Sequence, residues 1–380
     1  MAGLSLLVWL YLTFFHGRFW WPPRLPPVVA DPERWPDVVA VVPARDEAAV
    51  LPTALRALRA QDYRGSFRVV VVDDASSDGT GELARQVAAE PSPAPAGRSV
   101  AVDVVRADGP PRGWSGKVAA MDHGLRETAA AEFVLFTDAD IVHPTRSVTA
   151  LVRAATEHRL DLVSQMVRLR TQSPWERLLI PAFVYFFAQL YPFARVNRPG
   201  RTTAAAGGCM LVRTSALARA GGLEPIRSAL IDDVALGRLL GRGGRTWLGL
   251  SPDVVSIRPY PGLADLWQMV TRSAYTQLRH SPLLLVGTVV GLLLVYAVPP
   301  AALVAGAASG HGLVAVLGGV AWLLMTVTYL PVLRFHRVGW WTAPALPLAA
   351  MLYAVMTVNS AWRHVRGRGG SWKGRVSSPR

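Results

Sequence analysis

The sequence predicts an α/β domain built on a mainly parallel sheet, with apolar helices on either side of it in the chain. Three observations predict this. Valine-rich runs of strand length at 37–42, 67–73, 99–105 and 132–137 alternate with stretches of helical character. Strand and helix repeated in that order demand right-handed crossovers, which leave neighbouring strands parallel and covered by helices. Finally, 51% of the 380 residues are apolar, and the excess is local: 3–15, 283–308, 313–333 and 339–359. The last three are each about as long as the roughly 20 residues needed to cross a bilayer.

Residues 1–23 read as an uncleaved membrane anchor. No small-residue cleavage site follows the apolar run, and Phe19-Trp20-Trp21 has the makings of an interfacial aromatic belt. Residues 36–260 are mixed enough in polarity for one globular domain. Its first strand, 37–42, is expected to end at Pro43, with a helix from about Glu47 to Ala60. The second strand, 67–73, breaks into Asp73-Asp74 and a turn of Ser, Asp and Gly, and a helix runs from Thr80 to about Glu90. Residues 91–98, rich in Pro, read as a surface linker. A third strand at 99–105, a helix at 117–129 and a fourth strand at 132–137 complete the pattern, which ends on Asp138-Ala-Asp140.

The second half changes character. Residues 175–194 are very apolar yet contain Glu176, Arg177, Pro181 and Gln189. That suits an element lying in the membrane interface, the alternative being a core helix. Residues 261–281 read as an amphipathic interface helix leading into a C-terminal membrane region, 282–361, and a basic tail, 362–380. With the catalytic domain in the cytoplasm, three spans put that tail outside, although 361–380 holds six Arg or Lys and no acid. Either the tail is an exception or one segment does not cross. Pro344 and Pro347 single out 339–359, as a re-entrant element.

One cysteine, Cys209, excludes a disulfide framework and a Cys-based zinc site, and reads as a small buried residue. A net charge of +14 raises the question of nucleic acid. The basic residues are dispersed and no nucleic-acid motif appears, so none is expected as a partner; the positive-inside rule accounts for the charge. Against a background of arginine, Lys117 stands out as one of two lysines.

In open α/β sheets, ligands bind at the carboxyl ends of strands. Asp73, Asp74, Asp138 and Asp140 stand there, as does Pro43-Ala-Arg45-Asp-Glu47. Carboxylates accept the N–H of a base and the hydroxyls of a ribose. Two carboxylates two residues apart suit a hard divalent ion, Mg2+ or Mn2+, shared with phosphate oxygens. Gly207-Gly208 permits close approach of backbone to a substrate, unless it is a plain turn. Asp232-Asp233 opens a helix, either as a catalytic pair or as charges suited to a helix N-terminus. The second possibility also stands for Glu47, and Lys117 alone fits a solvated helix start.

These segments, in this order, resemble the inverting family-two glycosyltransferases. Within that family Pro111-Arg-Gly-Trp-Ser-Gly-Lys117, Met166-Val-Arg-Leu-Arg170, Trp175-Glu-Arg-Leu-Leu-Ile-Pro-Ala-Phe183, Ala229-Leu-Ile-Asp-Asp233 and Arg363-His-Val-Arg-Gly-Arg-Gly-Gly-Ser-Trp-Lys-Gly-Arg375 look like the hopene-associated group. The resemblance implies a glycosyltransferase-A fold, Rossmann-like with a mainly parallel sheet. It implies nucleotide binding by Pro43, Arg45, Glu47, Asp73, Asp74, Lys117 and Asp138, with Asp74 on the base. A metal on Asp138 and Asp140, and Asp233 as catalytic base beside Asp232, follow from it as well. The acceptor side falls to Gly207, Gly208, Gln277 and Arg279. Processive members carry Gln-x-x-Arg-Trp; here Gln277-Leu-Arg279-His280 is one residue short and lacks the Trp, which argues against a polysaccharide synthase.

The expected function is transfer of one sugar from a nucleotide-diphosphate sugar, a UDP-sugar by resemblance, to a lipid hydroxyl, the resemblance pointing to a hopanoid. A polyprenyl-phosphate acceptor is the second reading. A catalytically silent lipid-binding scaffold is the third, against which the full carboxylate set argues. The expected location is the bacterial inner membrane, multi-pass, with the catalytic domain cytoplasmic.

Overall fold

The computed structural model describes residues 1–91, 93, 99–128, 131–198, 200, 202–367, 371–372 and 375–376. The chain divides into two compact units. One comprises Pro23–Leu169, Arg195–Arg258 and Ser371–Arg380; the other comprises Met1–Pro22, Arg170–Ala194 and Pro259–Gly370.

The first unit is built on an eight-stranded sheet. Its strands are β1 (Val38–Ala44), β2 (Phe67–Asp74), β3 (Ala101–Ala107), β4 (Phe133–Thr137), β5 (Ile141–Val142), β6 (Leu162–Arg168), β7 (Cys209–Arg213) and β8 (Thr246–Ser256), in the order β3-β2-β1-β4-β7-β6-β8-β5. The four strands expected from the sequence are the parallel block β3-β2-β1-β4. Side chains alternate across it. Val38, Ala40 and Val42 face Leu51, Leu55 and Leu58 in one core, while Val39 and Val41 face Val118 and Met121 in the other. Period-two burial on both faces is what near-continuous valine runs produce.

Pro43 does not end β1. It lies within the strand opposite Val72, because β4 pairs only as far as Val41 and the missing N–H is not needed on that side. The third strand begins two residues later than expected, at Ala101, its register set by β2: Arg68 pairs with Ala101 and Asp74 with Ala107. The 91–98 linker falls outside the described residues except at 91 and 93.

β7 runs antiparallel to both its neighbours, β4 and β6. Its first residue, Cys209, pairs with Thr137, the last of β4. Gly207 and Gly208 therefore stand beside the carboxyl end of β4. β8 runs parallel to β6 until a shift in register: Val167 pairs with Ser251 but Arg168 with Val255. The extra residues redirect β8 so that Ser256 pairs with Ile141 of β5, four residues beyond the end of β4.

The second unit is helical. Among the described residues, four helices are long and apolar enough to cross a membrane: Pro174–Val196, Pro282–Ala308, Gly312–Phe335 and Trp340–Val365. Glu176 and Arg177, which count against a spanning helix by composition, sit in the first turn. Ser173 Oγ accepts the Glu176 N–H at 3.1 Å, and the buried Glu176 carboxylate accepts from Arg170 Nη1 at 2.8 Å and from the N–H groups of Gln172, Ser173 and Tyr260. This is a reciprocal cap of a helix start. Pro344 lies in the short turn Trp340–Ala345 and Pro347 in the first turn of Leu346–Val365. Neither breaks the helix, since no intrahelical N–H is needed at its start. Pro299 and Pro300, by contrast, lie just after a wider π turn at Leu293–Ala297. The 261–281 segment contains the helix Leu263–Gln277, which buries Leu266, Val270, Thr271 and Tyr275. Of the basic tail, residues 368–370, 373–374 and 377–380 lie outside the described residues.

Candidate active site

The carboxyl ends of β1, β2, β4 and β8 and the start of β7 carry the candidate residues. The loops after β1 and β2 lock together. Asp46 N–H donates to Ser76 Oγ at 3.0 Å, Ser77 N–H donates to Asp46 Oδ1 at 2.8 Å, and Glu47 N–H donates to Thr80 Oγ1 at 2.8 Å. Asp46 and Ala75 adopt φ of 50° and 48°. Such left-handed backbone costs on the order of 1 kcal/mol at a residue with a side chain, and the interlock sustains it. Arg45 Nη1 donates to the Asp74 carbonyl at 2.7 Å and lies 3.6 Å from Asp74 Oδ2. The two aspartates divide their work. Asp73 Oδ1 accepts the Ser76 N–H at 3.0 Å and so holds the turn, whereas Asp74 faces the side of the sheet covered by the helix Gly116–Arg126.

Lys117 stands in the first turn of that helix. Its ammonium lies 2.8 Å from Asp138 Oδ1 and 3.0 Å from Asp232 Oδ2, bridging the strand-end aspartate to the helix Asp232–Gly241. Burial works against the lysine charge, but Asp138 and Asp232 outweigh it and hold its pKa above the usual range. Burial, with the charges of Asp140 and Asp232, pushes Asp138 upward against the pull of Lys117. Asp233 Oδ2 accepts the Gly207 N–H at 2.9 Å and Oδ1 accepts the Val234 N–H at 2.7 Å. Burial and the adjacent Asp232 push its pKa up to about 7.

Glycines permit this closeness. A Cβ at Gly207 would lie 3.3 Å from Asp233 Oδ2 and 3.4 Å from Lys117 Nζ. One at Gly237 would lie 2.5 Å from the Ala204 carbonyl carbon, so only glycine lets the Asp232 helix lie against 204–205.

Asp140 is held from β8. Ser256 Oγ donates to Asp140 Oδ2, and Arg258 Nη2 lies 3.1 Å from Asp140 Oδ1 and 2.8 Å from both Glu47 oxygens. Glu47 is therefore more than a helix-start charge. Sequence reasoning missed Ser256 and Arg258. The signal was present: a polar Ser-Ile-Arg-Pro ending to a strand, the same strand-end pattern that marks Asp73 and Asp138.

Asp138 and Asp140 fit a hard divalent cation by donor chemistry. Asp138, Asp140, Asp232, Asp233 and Glu47 contribute five carboxylates against the charges of Lys117 and Arg258. Among the described residues no three His, Cys, Asp or Glu side chains converge into a complete ligand set. A cation held by these two residues would draw the rest of its shell from phosphate oxygens and water, the habit of Mg2+. Gln277 and Arg279 belong to the helical unit. There Gln277 Nε2 donates to the Tyr191 hydroxyl, and Arg279 is exposed with φ of 52°. Cys209 is fully buried and burial pushes its thiol up to about 12, which leaves it inert.

Residues 39–221 match the model of glycosyl transferase family 2. Over 142 residues the chain is 33% identical to undecaprenyl-phosphate 4-deoxy-4-formamido-L-arabinose transferase of Aeromonas hydrophila subsp. hydrophila. That match takes in 37% of this chain and only 39% of the relative's length. A solved mannosyltransferase from Pyrobaculum calidifontis, in complex with GDP-Man and Mn2+, superposes with a TM-score of 0.56. Its identity is 23%, covering 93% of this chain and 99% of that one, and the likeness is one of fold. The α/β sheet is thus of the glycosyltransferase-A type, and the stretch similar to glycosyl transferase family 2 runs along it from β1 through β7.

Proposed function

We propose that this protein is a membrane-bound, inverting glycosyltransferase that moves one sugar from a nucleotide-diphosphate sugar, a UDP-sugar, to a lipid. The observation that carries the proposal is the Lys117 bridge from Asp138 to Asp232, with Asp233 tied to Gly207 beside it. It joins a strand-end donor motif to a half-buried carboxylate whose pKa suits a general base.

In this reading Asp74, Arg45 and Glu47 frame the nucleotide. The acceptor hydroxyl gives its proton to Asp233, and its oxygen attacks the anomeric carbon from the face opposite the diphosphate. The bond to the diphosphate breaks with its electron pair, so one displacement inverts the configuration. Asp138 and Asp140 would hold Mg2+ or Mn2+, which when bound neutralises charge on the leaving diphosphate. Lys117 holds the Asp138 and Asp232 side chains in place throughout. The catalytic domain faces the cytoplasm of a bacterium, at its inner membrane, where nucleotide sugars and membrane lipids meet.

A poised base favours a lipid hydroxyl, including that of a hopanoid, because a hydroxyl must lose a proton to attack. The relative from Aeromonas, whose name specifies undecaprenyl phosphate, supports a second reading with a polyprenyl phosphate acceptor. That acceptor is already an anion and needs no base. Mass spectrometry of lipid products separates the two. Purified protein in detergent receives Mn2+, a panel of nucleotide sugars and either a polyhydroxylated hopanoid or polyprenyl phosphate, with Asp233→Asn alongside. A single-sugar adduct on the hopanoid that the variant cannot make supports the hydroxyl. An adduct only on polyprenyl phosphate, tolerant of the variant, establishes the second reading, and no adduct on either overturns the lipid acceptor.

A further inference from the structure

A second polar group lies buried behind the Asp138–Asp140 segment, outside the roles assigned so far. His143, Thr137 and Ser147 are 2%, 1% and 5% exposed. His143 Nε2 lies 2.9 Å from Thr137 Oγ1, and His143 Nδ1 lies 3.1 Å from Ser147 Oγ. Thr137 Oγ1 donates to the Gly208 carbonyl at 2.9 Å.

The direction of these bonds is determined. A threonine hydroxyl has one hydrogen, and Thr137 places it on Gly208. Thr137 can therefore only accept from His143, so Nε2 carries a proton. Burial pushes the imidazole down to about 4, which leaves the ring neutral at pH 7 and Nδ1 without a proton. Ser147 then donates to Nδ1. The chain runs one way, from Ser147 through His143 and Thr137 to the Gly208 carbonyl.

Its end point matters. Gly208 adjoins Gly207, whose N–H holds Asp233 Oδ2, and Thr137 adjoins Asp138. We propose that His143 is a positioning residue: through Thr137 it fixes the Gly207–Gly208 segment against the end of β4, and so sets the distance between the acidic donor motif and the Asp233 base. An apolar side chain at 143 would fill the same space, but it would leave the Thr137 hydroxyl without the donor that orients it toward the Gly208 carbonyl. The effect on turnover rests on the glycosyltransferase reading; the hydrogen-bond chain does not.

The test uses the full chain in detergent. With 15N-labelled histidine, only eight imidazoles contribute. Assigned by its loss in His143→Gln, the His143 pair should show a protonated Nε2 and a bare Nδ1, unchanged from pH 8 to pH 5.5. A protonated Nδ1, or titration in that range, overturns the chain of bonds whether or not the protein transfers sugar. In kinetics, His143→Phe should lower kcat by about ten- to a hundredfold, the cost of a small misplacement of reacting groups, with donor KM little changed. His143→Gln, which retains a donor near the Nε2 position, should recover most of that loss. A His143→Phe enzyme with full kcat, or a Gln variant no better than Phe, overturns the positioning role. A wild type with the predicted tautomer but no transfer overturns the functional reading alone.

Discussion

Arg258 and Glu47 stand 211 residues apart in sequence, yet one guanidinium nitrogen of Arg258 lies 2.8 Å from each oxygen of the Glu47 carboxylate. The contact joins the loop after the first strand to the residue beyond the last long one. Glu47 and Asp140 are nearly fully buried, so Arg258 is the cation that makes their burial tolerable.

Arg258→Gln is expected to destabilise the protein. Losing one partner of a fully buried ion pair costs several kcal/mol; with Arg258 about a quarter exposed, a loss of about 1–3 kcal/mol is expected. Glu47→Gln together with Arg258→Gln should cost less than the two single changes summed, because no charge is then left alone. Thermal unfolding of the four proteins in detergent checks this. Strict additivity would show that the pair is not coupled.

Lys117 lowers the proton affinity of the carboxylates around it. Lys117→Met should therefore move the acidic limb of the kcat/KM profile upward, with Asp233 ionising above its present value of about 7. Lys117→Arg should not restore the wild-type profile, since a planar guanidinium cannot occupy a point 2.8 Å and 3.0 Å from two separate carboxylates beside Gly207. Rate profiles from pH 5.5 to 9 read both outcomes.

In the proposed mechanism Asp233 acts as a carboxylate, so wild-type kcat/KM should rise with pH through about 7 and then level. The same shift has an effect on stability of the opposite sense. A carboxyl group whose folded pKa of about 7 exceeds its ordinary value of 3.8 binds protons more tightly when folded. It costs stability as pH rises from about 4 to 7, and the full cost is present at pH 8. Asp233→Asn removes that cost. The variant should melt higher than wild type at pH 8, by less at pH 5, while transfer to a hydroxyl falls by about 10²–10⁴. A variant that melts lower at pH 8 would contradict the half-buried, raised carboxylate.

Chelation should abolish sugar transfer, and Mn2+ or Mg2+ should restore it. Asp138→Asn should weaken Mn2+ binding in the presence of nucleoside diphosphate, measured by calorimetry. Undiminished affinity would remove Asp138 from the ligand set.

The parallel half of the fold and most of the carboxylates were legible because they follow from local wording. Valine runs announce buried strands, and acids just past them announce a ligand edge. What was not legible depends on distant partners. Nothing local to Cys209–Arg213 says that this strand runs antiparallel between β4 and β6. Nothing local to Arg258 names Glu47 as its partner. Pro43 reads as a stop, yet stays in its strand because the neighbour on one side has already ended. Glu176 reads as a charge inside an apolar run, and only its backbone partners show it to be the cap of a helix.

The partners of Asp140 have a consequence for biosynthesis. Ser256 and Arg258 follow it by 116 and 118 residues. At roughly 5–20 residues per second, a ribosome needs roughly 6 to 24 seconds to supply them. Throughout that interval the nascent chain carries the acidic segment without its arginine, so the parallel block can collapse early while the catalytic edge waits. A chaperone that shields this edge, or a translational pause before residue 258, would act on a half-made protein whose valine core is already closed and whose chemistry is not yet present.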